Sequence, residues 1–373
     1  MASGFKKKPI NVGSNPARPI YSKISNTTNK SLYISKPLQT IMVITQEKPS
    51  LKEKLEFSDL QTCIPAIPTP IASNETNINA SIDYNGLSQH LDYLILNNIT
   101  TIAVAGCTGH DCSLTLDEKI ELLHFIKENF QLNIIVGDGS NSTKKQIEEA
   151  RIIEGETGIL THLQISPYQN KPSQNGIIQH YTETADAIKG NIIIYSVPGR
   201  TSGIGITPET AIELSQIHNI IAIKEASGNY DENLKRTKAI LQGTSNFAVL
   251  SGDDYKTLEL IKAGGHGSIS VCANIVPMQI LSLVNHALKK DEQSNAYASV
   301  INGLLKPLYR VLFSKHPETE EQISDDPNPS PLHYALRRIG FSVGTPRLPL
   351  TDITPKLKEQ IDKVLYELFP NID

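Results

Sequence analysis

A lysine closes the apolar run in Asn219-Ile220-Ile221-Ala222-Ile223-Lys224-Glu225-Ala226-Ser227-Gly228-Asn229. A short apolar run bounded by turn residues reads as a strand buried on both faces. An ammonium at the end of such a strand is costly to desolvate, so burial lowers its pKa from the reference of about 10.4. An amine that is neutral near pH 7 is the form that adds to a carbonyl and makes a Schiff base. The plainer reading is a surface lysine where the strand emerges, paired with Glu225. Other polar clusters follow apolar runs in the same way. They are Gly106-Cys107-Thr108-Gly109-His110, Ser166-Pro167-Tyr168-Gln169-Asn170, Tyr195-Ser196-Val197-Pro198-Gly199-Arg200-Thr201 and Gly264-Gly265-His266-Gly267-Ser268-Ile269-Ser270. An electrophile-binding amine, a phenol, a guanidinium and a glycine turn with exposed N–H groups suit a keto acid with carboxylates at both ends.

The elements that carry these clusters alternate. Apolar strand patterns occupy Cys63–Ile67, Thr101–Ala105, Asn133–Val136, Leu160–Ile165, Asn191–Val197, Ile220–Lys224, Phe247–Leu250 and His266–Val271. Helical spacing of apolar residues fills Ser81–Asn98, Leu116–Asn129, Thr143–Glu156, Ser173–Lys189 and Thr207–Ile217 between them. Eight strands alternating with helices predict an α/β protein, a (β/α)₈ barrel over residues 59–275, with its chemistry at the C-terminal strand ends. A doubly wound sheet is the competing architecture. Gly137-Asp138-Gly139-Ser140-Asn141-Ser142 does not make a dinucleotide loop for it, because the third glycine is missing and the loop follows the third strand. Helical patterns at Pro277–Leu288, Ala296–Leu312, Pro331–Ile339 and Thr354–Leu368 form a C-terminal helical region over residues 276–373. Ser314–Asp326 reads as a solvated polar loop within it.

The composition is that of a globular protein, with 39% hydrophobic and 20% charged residues in a chain of 373. A net charge of −4 gives no electrostatic case for nucleic acid or an anionic membrane. No apolar run reaches the roughly 18 residues of a membrane helix. Cys63, Cys107, Cys112 and Cys272 are scattered, with neither C-x-x-C pairs nor adjacent histidines, and read as reduced intracellular thiols. From Met1 to Gln46 there is no Asp or Glu, while Lys6, Lys7, Lys8, Arg18, Lys23, Lys30 and Lys36 are spread through Ser, Thr, Asn and Pro. Residues 1–58 therefore read as a basic, disordered leader. An acidic-poor leader also fits a transit peptide, but one arginine and no amphipathic helix favour a tail. The expected compartment is the cytoplasm, with an organelle as the alternative.

The clusters stand in a register that resembles the dihydrodipicolinate synthase / N-acetylneuraminate lyase family of class I aldolases. The matching segments are Ala66-Ile67-Pro68-Thr69-Pro70, Gly106-Cys107-Thr108-Gly109, Pro167 through Gln174, Tyr195 through Thr201, Ile221 through Asn229, Ser251-Gly252-Asp253-Asp254, Gly264 through Ser270 and Pro327-Asn328-Pro329. They run from about residue 60 to the C-terminus. The resemblance implies that Lys224 is the Schiff-base residue that condenses with pyruvate, and that Tyr195 shuttles protons to and from the imine. Thr108 and its turn hold the pyruvate carboxylate, and the backbone carbonyl of Ile269 lines that pocket. Arg200, in the turn with Gly199, matches the arginine that receives the carboxylate of aspartate semialdehyde in the synthases. A planar fork suits a bidentate carboxylate contact.

Three residues depart from the pattern. Cys107 replaces a threonine that relays protons to the catalytic tyrosine. Gln169 replaces a tyrosine that reaches into the neighbouring subunit's site, and His110 replaces a glutamate. A thiol is a weak donor and an amide cannot titrate, so drift, with water or Tyr168 completing the relay, stands against a changed reaction. At the family's lysine-inhibition site Asn141 and Tyr168 match, but Leu116 and Lys145 replace a histidine and a glutamate. A cation there repels lysine's amine. The expected function is a pyruvate-dependent synthase that condenses pyruvate with aspartate semialdehyde to 4-hydroxytetrahydrodipicolinate in lysine biosynthesis. The alternatives are another pyruvate aldolase or dehydratase, or a pseudoenzyme that binds keto acids. No metal or organic cofactor is implied beyond the imine of Lys224. The expected assembly is a homotetramer or homodimer, with no nucleic-acid or membrane partner.

Overall fold

The computed structural model describes residues 51–73, 78–227, 230–313, 319 and 321–370. Most of the basic leader read from the sequence lies outside the described residues. Eight parallel strands form the centre: β1 (Cys63–Pro65), β2 (Thr101–Val104), β3 (Asn133–Gly137), β4 (Thr161–Ile165), β5 (Asn191–Ser196), β6 (Ile220–Glu225), β7 (Ala248–Ser251) and β8 (Gly267–Ser270). Each pairs with the next, and β8 pairs with β1. A parallel bridge between Ala66 and Ala103, with Ile67 N donating to Ala103 O at 2.9 Å, closes β1 onto β2. This is the (β/α)₈ barrel that the alternation of elements predicts.

Strand residues alternate between two apolar environments, as the two-residue strand repeat requires. Along β5, Ile193 and Tyr195 join the cluster that fills the barrel, while Ile192 and Ile194 join the cluster under the helices. The helices are α1 (Tyr84–Leu96), α2 (Leu116–Asn129), α3 (Thr143–Thr157), α4 (Gln174–Ala187), α5 (Pro208–Leu214), α6 (Tyr230–Gly243), α7 (Thr257–Lys262) and α8 (Pro277–Lys289). Their starts are fixed by local chemistry. Thr115 Oγ1 accepts from Glu118 N at 3.2 Å and Glu118 Oε2 from Thr115 N at 3.0 Å, a reciprocal cap on α2. Ser173 caps α4 through Gly176 N at 3.2 Å.

Two boundaries differ from the sequence reading. Residues 51–58 belong to the barrel: Leu55 is buried with the interior cluster. Leu55 N donates to Thr161 Oγ1 at 2.8 Å, and Leu55 O accepts from Asn191 Nδ2 at 2.8 Å. Composition hid this segment because one leucine among charges does the packing. Helix α8, assigned to the C-terminal region, packs on β1 and β8 and is the eighth barrel helix. The C-terminal region proper is α9 (Glu292–Phe313), α10 (Ser330–Arg338) and α11 (Pro355–Leu368).

A buried polar clip ties β3 to β4 and α3. His162 Nδ1 lies 2.7 Å from Asp138 Oδ2, and its Nε2 lies 3.4 Å from Glu154 Oε1. Burial alone would lower the imidazole pKa, but the two carboxylates outweigh it and raise it to about 9.

Candidate active site

β5 and β6 set Tyr195 opposite Lys224 in register. Lys224 is 6% exposed, and its Nζ lies 4.4 Å from the centroid of the Tyr195 ring. Burial pushes the ammonium below its ordinary pKa; Asp253 and Asp254 oppose that push and Arg200 adds to it. The neighbouring Glu225 faces the other way along the strand. Its Oε1 accepts from Ser227 N at 2.8 Å and from the Ser227 hydroxyl, and its Oε2 lies 3.3 Å from Arg236 Nη2 of α6. The paired-surface reading of Lys224 and Glu225 therefore fails. Room for the lysine stem comes from Gly252, where a Cβ would sit 3.1 Å from Lys224 Cε and 2.7 Å from Ala226 Cβ.

Tyr195 is buried, and Cys107 lines the same cavity beside it. Burial holds the phenol well above its ordinary pKa, so it is a proton donor at neutral pH. Cys107, Thr108, Gly199 and Arg200 line the same cavity as Lys224 and Tyr195, with a volume of about 450 Å³. The turn that carries Thr108 is tight: a Cβ on Gly109 would approach Ala105 N to 2.7 Å.

The C-terminal region roofs this cavity. Asn328 Nδ2 donates to Thr108 Oγ1 at 3.1 Å, and Asn328 O accepts from Arg200 Nη2 at 3.0 Å. Gln322, Asp325 and Asp326 line the cavity as well, with Gln322 and Asp325 still exposed to solvent, so this end of the polar loop Ser314–Asp326 faces the mouth. Asp326 is anchored by Thr354 Oγ1, which donates to its Oδ2 at 2.8 Å. Below Asn328 a second tie joins the roof to the β2 turn, with His110 Nε2 2.9 Å from His333 Nε2. His333 Nδ1 donates to Gly344 O at 3.0 Å, so its Nε2 accepts and His110 Nε2 donates. Burial keeps both rings neutral, pushing His110 down to about 4 and His333 well below its ordinary value.

Of the residues singled out in the sequence, Lys224, Tyr195, Cys107, Thr108, Gly199 and Arg200 come together on one cavity. Ile269 is fully buried in the barrel interior with Tyr195 and is not among the residues lining the cavity. Gln169 is exposed in a left-handed conformation, φ 68°, its N donating to Ser202 Oγ at 3.1 Å, and it does not line the cavity. Tyr168 also stands off the cavity, half-buried beside Cys112, Asp111 and Glu149. There Lys119 Nζ is held 2.5 Å from Asp111 Oδ1, 2.5 Å from Glu149 Oε1 and 3.1 Å from Gly137 O. Sequence reasoning missed Lys256 and Asn328 as site residues. Lys256 stands two residues beyond the Ser251-Gly252-Asp253-Asp254 segment, and Asn328 sits in a Pro-Asn-Pro turn, the two signals available. Among the described residues no three His, Cys, Asp or Glu side chains gather as a metal site, and no helix is long and apolar enough to cross a membrane.

The profile of the dihydrodipicolinate synthetase family matches residues 59–368. The chain belongs to that family. It is an enzyme of the lyase class. A 4-hydroxy-tetrahydrodipicolinate synthase of Archaeoglobus fulgidus is 36% identical over 306 residues, covering 82% of this chain and 97% of the relative. The solved dihydrodipicolinate synthase of Cyanidioschyzon merolae, with lysine bound, superposes with a TM-score of 0.74 at 34% identity, over 84% of this chain and 99% of that one. The enzyme of Acinetobacter baumannii, complexed with pyruvate, gives 0.72 at 33% identity over 83% of this chain and 98% of that one. The chain thus shares its overall fold with these solved synthases.

Proposed function

We propose that the protein is a class I synthase that condenses pyruvate with L-aspartate semialdehyde to 4-hydroxytetrahydrodipicolinate. The observation that carries this reading is a desolvated amine, Lys224, 4.4 Å from the centroid of the Tyr195 ring in a cavity that Arg200 and Thr108 also line. The pyruvate complex of the Acinetobacter baumannii relative supports the first substrate. Lys224 Nζ adds to pyruvate C2, and loss of water leaves the imine. Thr108 and the N–H groups of its turn hold the pyruvate carboxylate. Loss of a C3 proton gives the enamine, with the Tyr195 hydroxyl moving protons at the imine side and the Cys107 thiol on the same cavity wall. C3 then attacks the aldehyde carbon, a C–C bond forms, and the aldehyde oxygen takes up the proton. The acceptor's amine next attacks C2, closes the ring and displaces Lys224, so the lysine is regenerated and no metal or organic cofactor is consumed. Arg200 holds the acceptor's carboxylate through its planar fork.

The test is reductive trapping. Borohydride added with pyruvate leaves a pyruvyl mass on the peptide carrying Lys224, and Lys224→Ala abolishes it. A label on another residue, or none on folded protein, ends this reading, and turnover with both substrates checks the aldehyde.

A further inference from the structure

Lys224 rises from the middle of three neighbouring strands. β5 flanks β6 on one side, with Tyr195 opposite Lys224, and β7 flanks it on the other, with Leu250 opposite. The turn after β5 brings Arg200 to the cavity, and the turn after β7 brings a second cation, Lys256, to it. Lys256 is 2% exposed, its Nζ lies 3.3 Å from Asp253 Oδ2 and 5.2 Å from the centroid of the Tyr255 ring. A buried ammonium is costly and is usually retained with a carboxylate partner, and Asp253 supplies one here. That pairing explains how the cation is tolerated, but not why it is placed on the wall of the reactive cavity. With the pyruvate carboxylate given to Thr108 and its turn, the acceptor's carboxylate has one cation assigned to it so far, Arg200.

We propose that Lys256 is a second contact for the carboxylate of the carbonyl acceptor, so that acidic aldehydes are selected by cations on both sides of the Schiff-base lysine. The inference rests on the function proposed above. A carboxylate has two oxygens and about four lone-pair sites, and a planar fork from one wall leaves an oxygen for a compact point charge from the other. Lys256 is a specificity-determining residue in this scheme and takes no part in imine formation. The Asp253 contact keeps the ammonium oriented when the acceptor is absent.

The experiment compares wild type, Lys256→Met and Lys256→Arg, each checked for folding by its thermal melt, in two assays. The first is borohydride trapping over a range of pyruvate concentrations. The second is steady-state turnover over a range of aspartate semialdehyde concentrations at saturating pyruvate. Methionine keeps an unbranched stem of similar length, so the packing survives while the charge goes. The expected result for Lys256→Met is an aldehyde KM raised ~10–100-fold, the usual loss for one charged hydrogen bond, with half-saturation of pyruvate trapping unchanged. Lys256→Arg should recover most of the aldehyde KM. Should the methionine variant unfold because Asp253 is left alone, the double change Lys256→Met with Asp253→Asn carries the same expectation. An unaltered aldehyde KM overturns the inference while wild-type turnover leaves the proposed function standing. Equal loss in both assays without rescue by arginine also overturns it, because that is the signature of a structural ion pair. A wild type that neither traps pyruvate nor consumes the aldehyde removes function and inference together.

Discussion

At the scale of single residues, the site separates side chains that meet the substrate from those that set their state. Arg200 belongs to the first kind. Its Nη2 is already committed to Asn328 O at 3.0 Å, so the guanidinium is oriented before any substrate arrives. Arg200→Ala should raise the aldehyde KM ~10–100-fold through loss of a charged hydrogen bond, and leave pyruvate trapping nearly intact. An unchanged KM would mean that the aldehyde carries no carboxylate. Cys107 belongs to the second kind. It lines the cavity with Tyr195, where a hydroxyl would be a stronger hydrogen-bonding group than a thiol. Cys107→Thr is therefore expected to raise kcat several-fold, within the ~10²–10⁴-fold that positioned acid–base groups supply. A slower threonine variant would show that the thiol is tuned to this reaction. Lys224, Tyr195, Thr108 and Arg200 were legible in the sequence because each sits at the end of an apolar run, where a barrel presents its chemistry. Lys256 was not, since a lysine in a polar turn looks solvated until the fold buries it.

At the scale of elements, two polar clips have measurable consequences. The Asp138–His162–Glu154 clip joins β3, β4 and α3, and the His162 pKa of about 9 lies above the reference value of 6.5. The folded state therefore holds a proton that the unfolded chain releases. Its stabilising contribution is complete below about pH 6.5 and is lost as pH rises through about 9. His162→Gln should cost ~3–5 kcal/mol at pH 6, because Asp138 is left buried without a cationic partner. The gap between variant and wild type should narrow toward pH 9 in urea titrations, and a constant gap would refute the charged form. The second clip concerns regulation. Lys119 fills the space between Asp111 and Glu149 with its own ammonium, beside Tyr168. Free L-lysine at low millimolar concentration should therefore leave turnover unaffected, although the Cyanidioschyzon merolae relative was solved with lysine bound. A calorimetric binding signal together with inhibition would contradict this. Helices α1 to α5 were readable from apolar spacing and caps. α6 and α7 were not assigned, because α6 opens with Asp231, Glu232 and Asn233 and α7 is six residues long.

At the scale of the whole molecule, buried histidines contribute to the acid limb of stability. His90, His110 and His180 are each pushed by burial to about 4, and His333 is pushed well below its ordinary value. A folded-state pKa below the unfolded value means that the unfolded chain takes up protons first as pH falls. Their contribution is present above about pH 6.5 and declines from there toward 4. With His162 eroding the alkaline side, unfolding free energy should peak near neutral pH and fall both toward pH 5 and toward pH 9. A profile still rising at pH 5 would count against the neutral His110–His333 pair. The barrel itself was legible because eight apolar runs carry a local period. The roof and the plug at residues 51–58 were not, because which loop lies across which mouth depends on contacts far apart in the chain.

The bond between Asn328 and Thr108 joins residues 220 positions apart. A ribosome delivers the chain from the N-terminus, so every strand and the reactive lysine exist before the last wall of the cavity has been made. Until Asn328 emerges, Thr108 and Arg200 lack the partner that ties them to the C-terminal region. The wall that Asp325, Asp326 and Asn328 supply is therefore the last part of the cavity to be synthesised. Turnover by stalled nascent chains of increasing length should switch on only once residue 328 has cleared the exit tunnel.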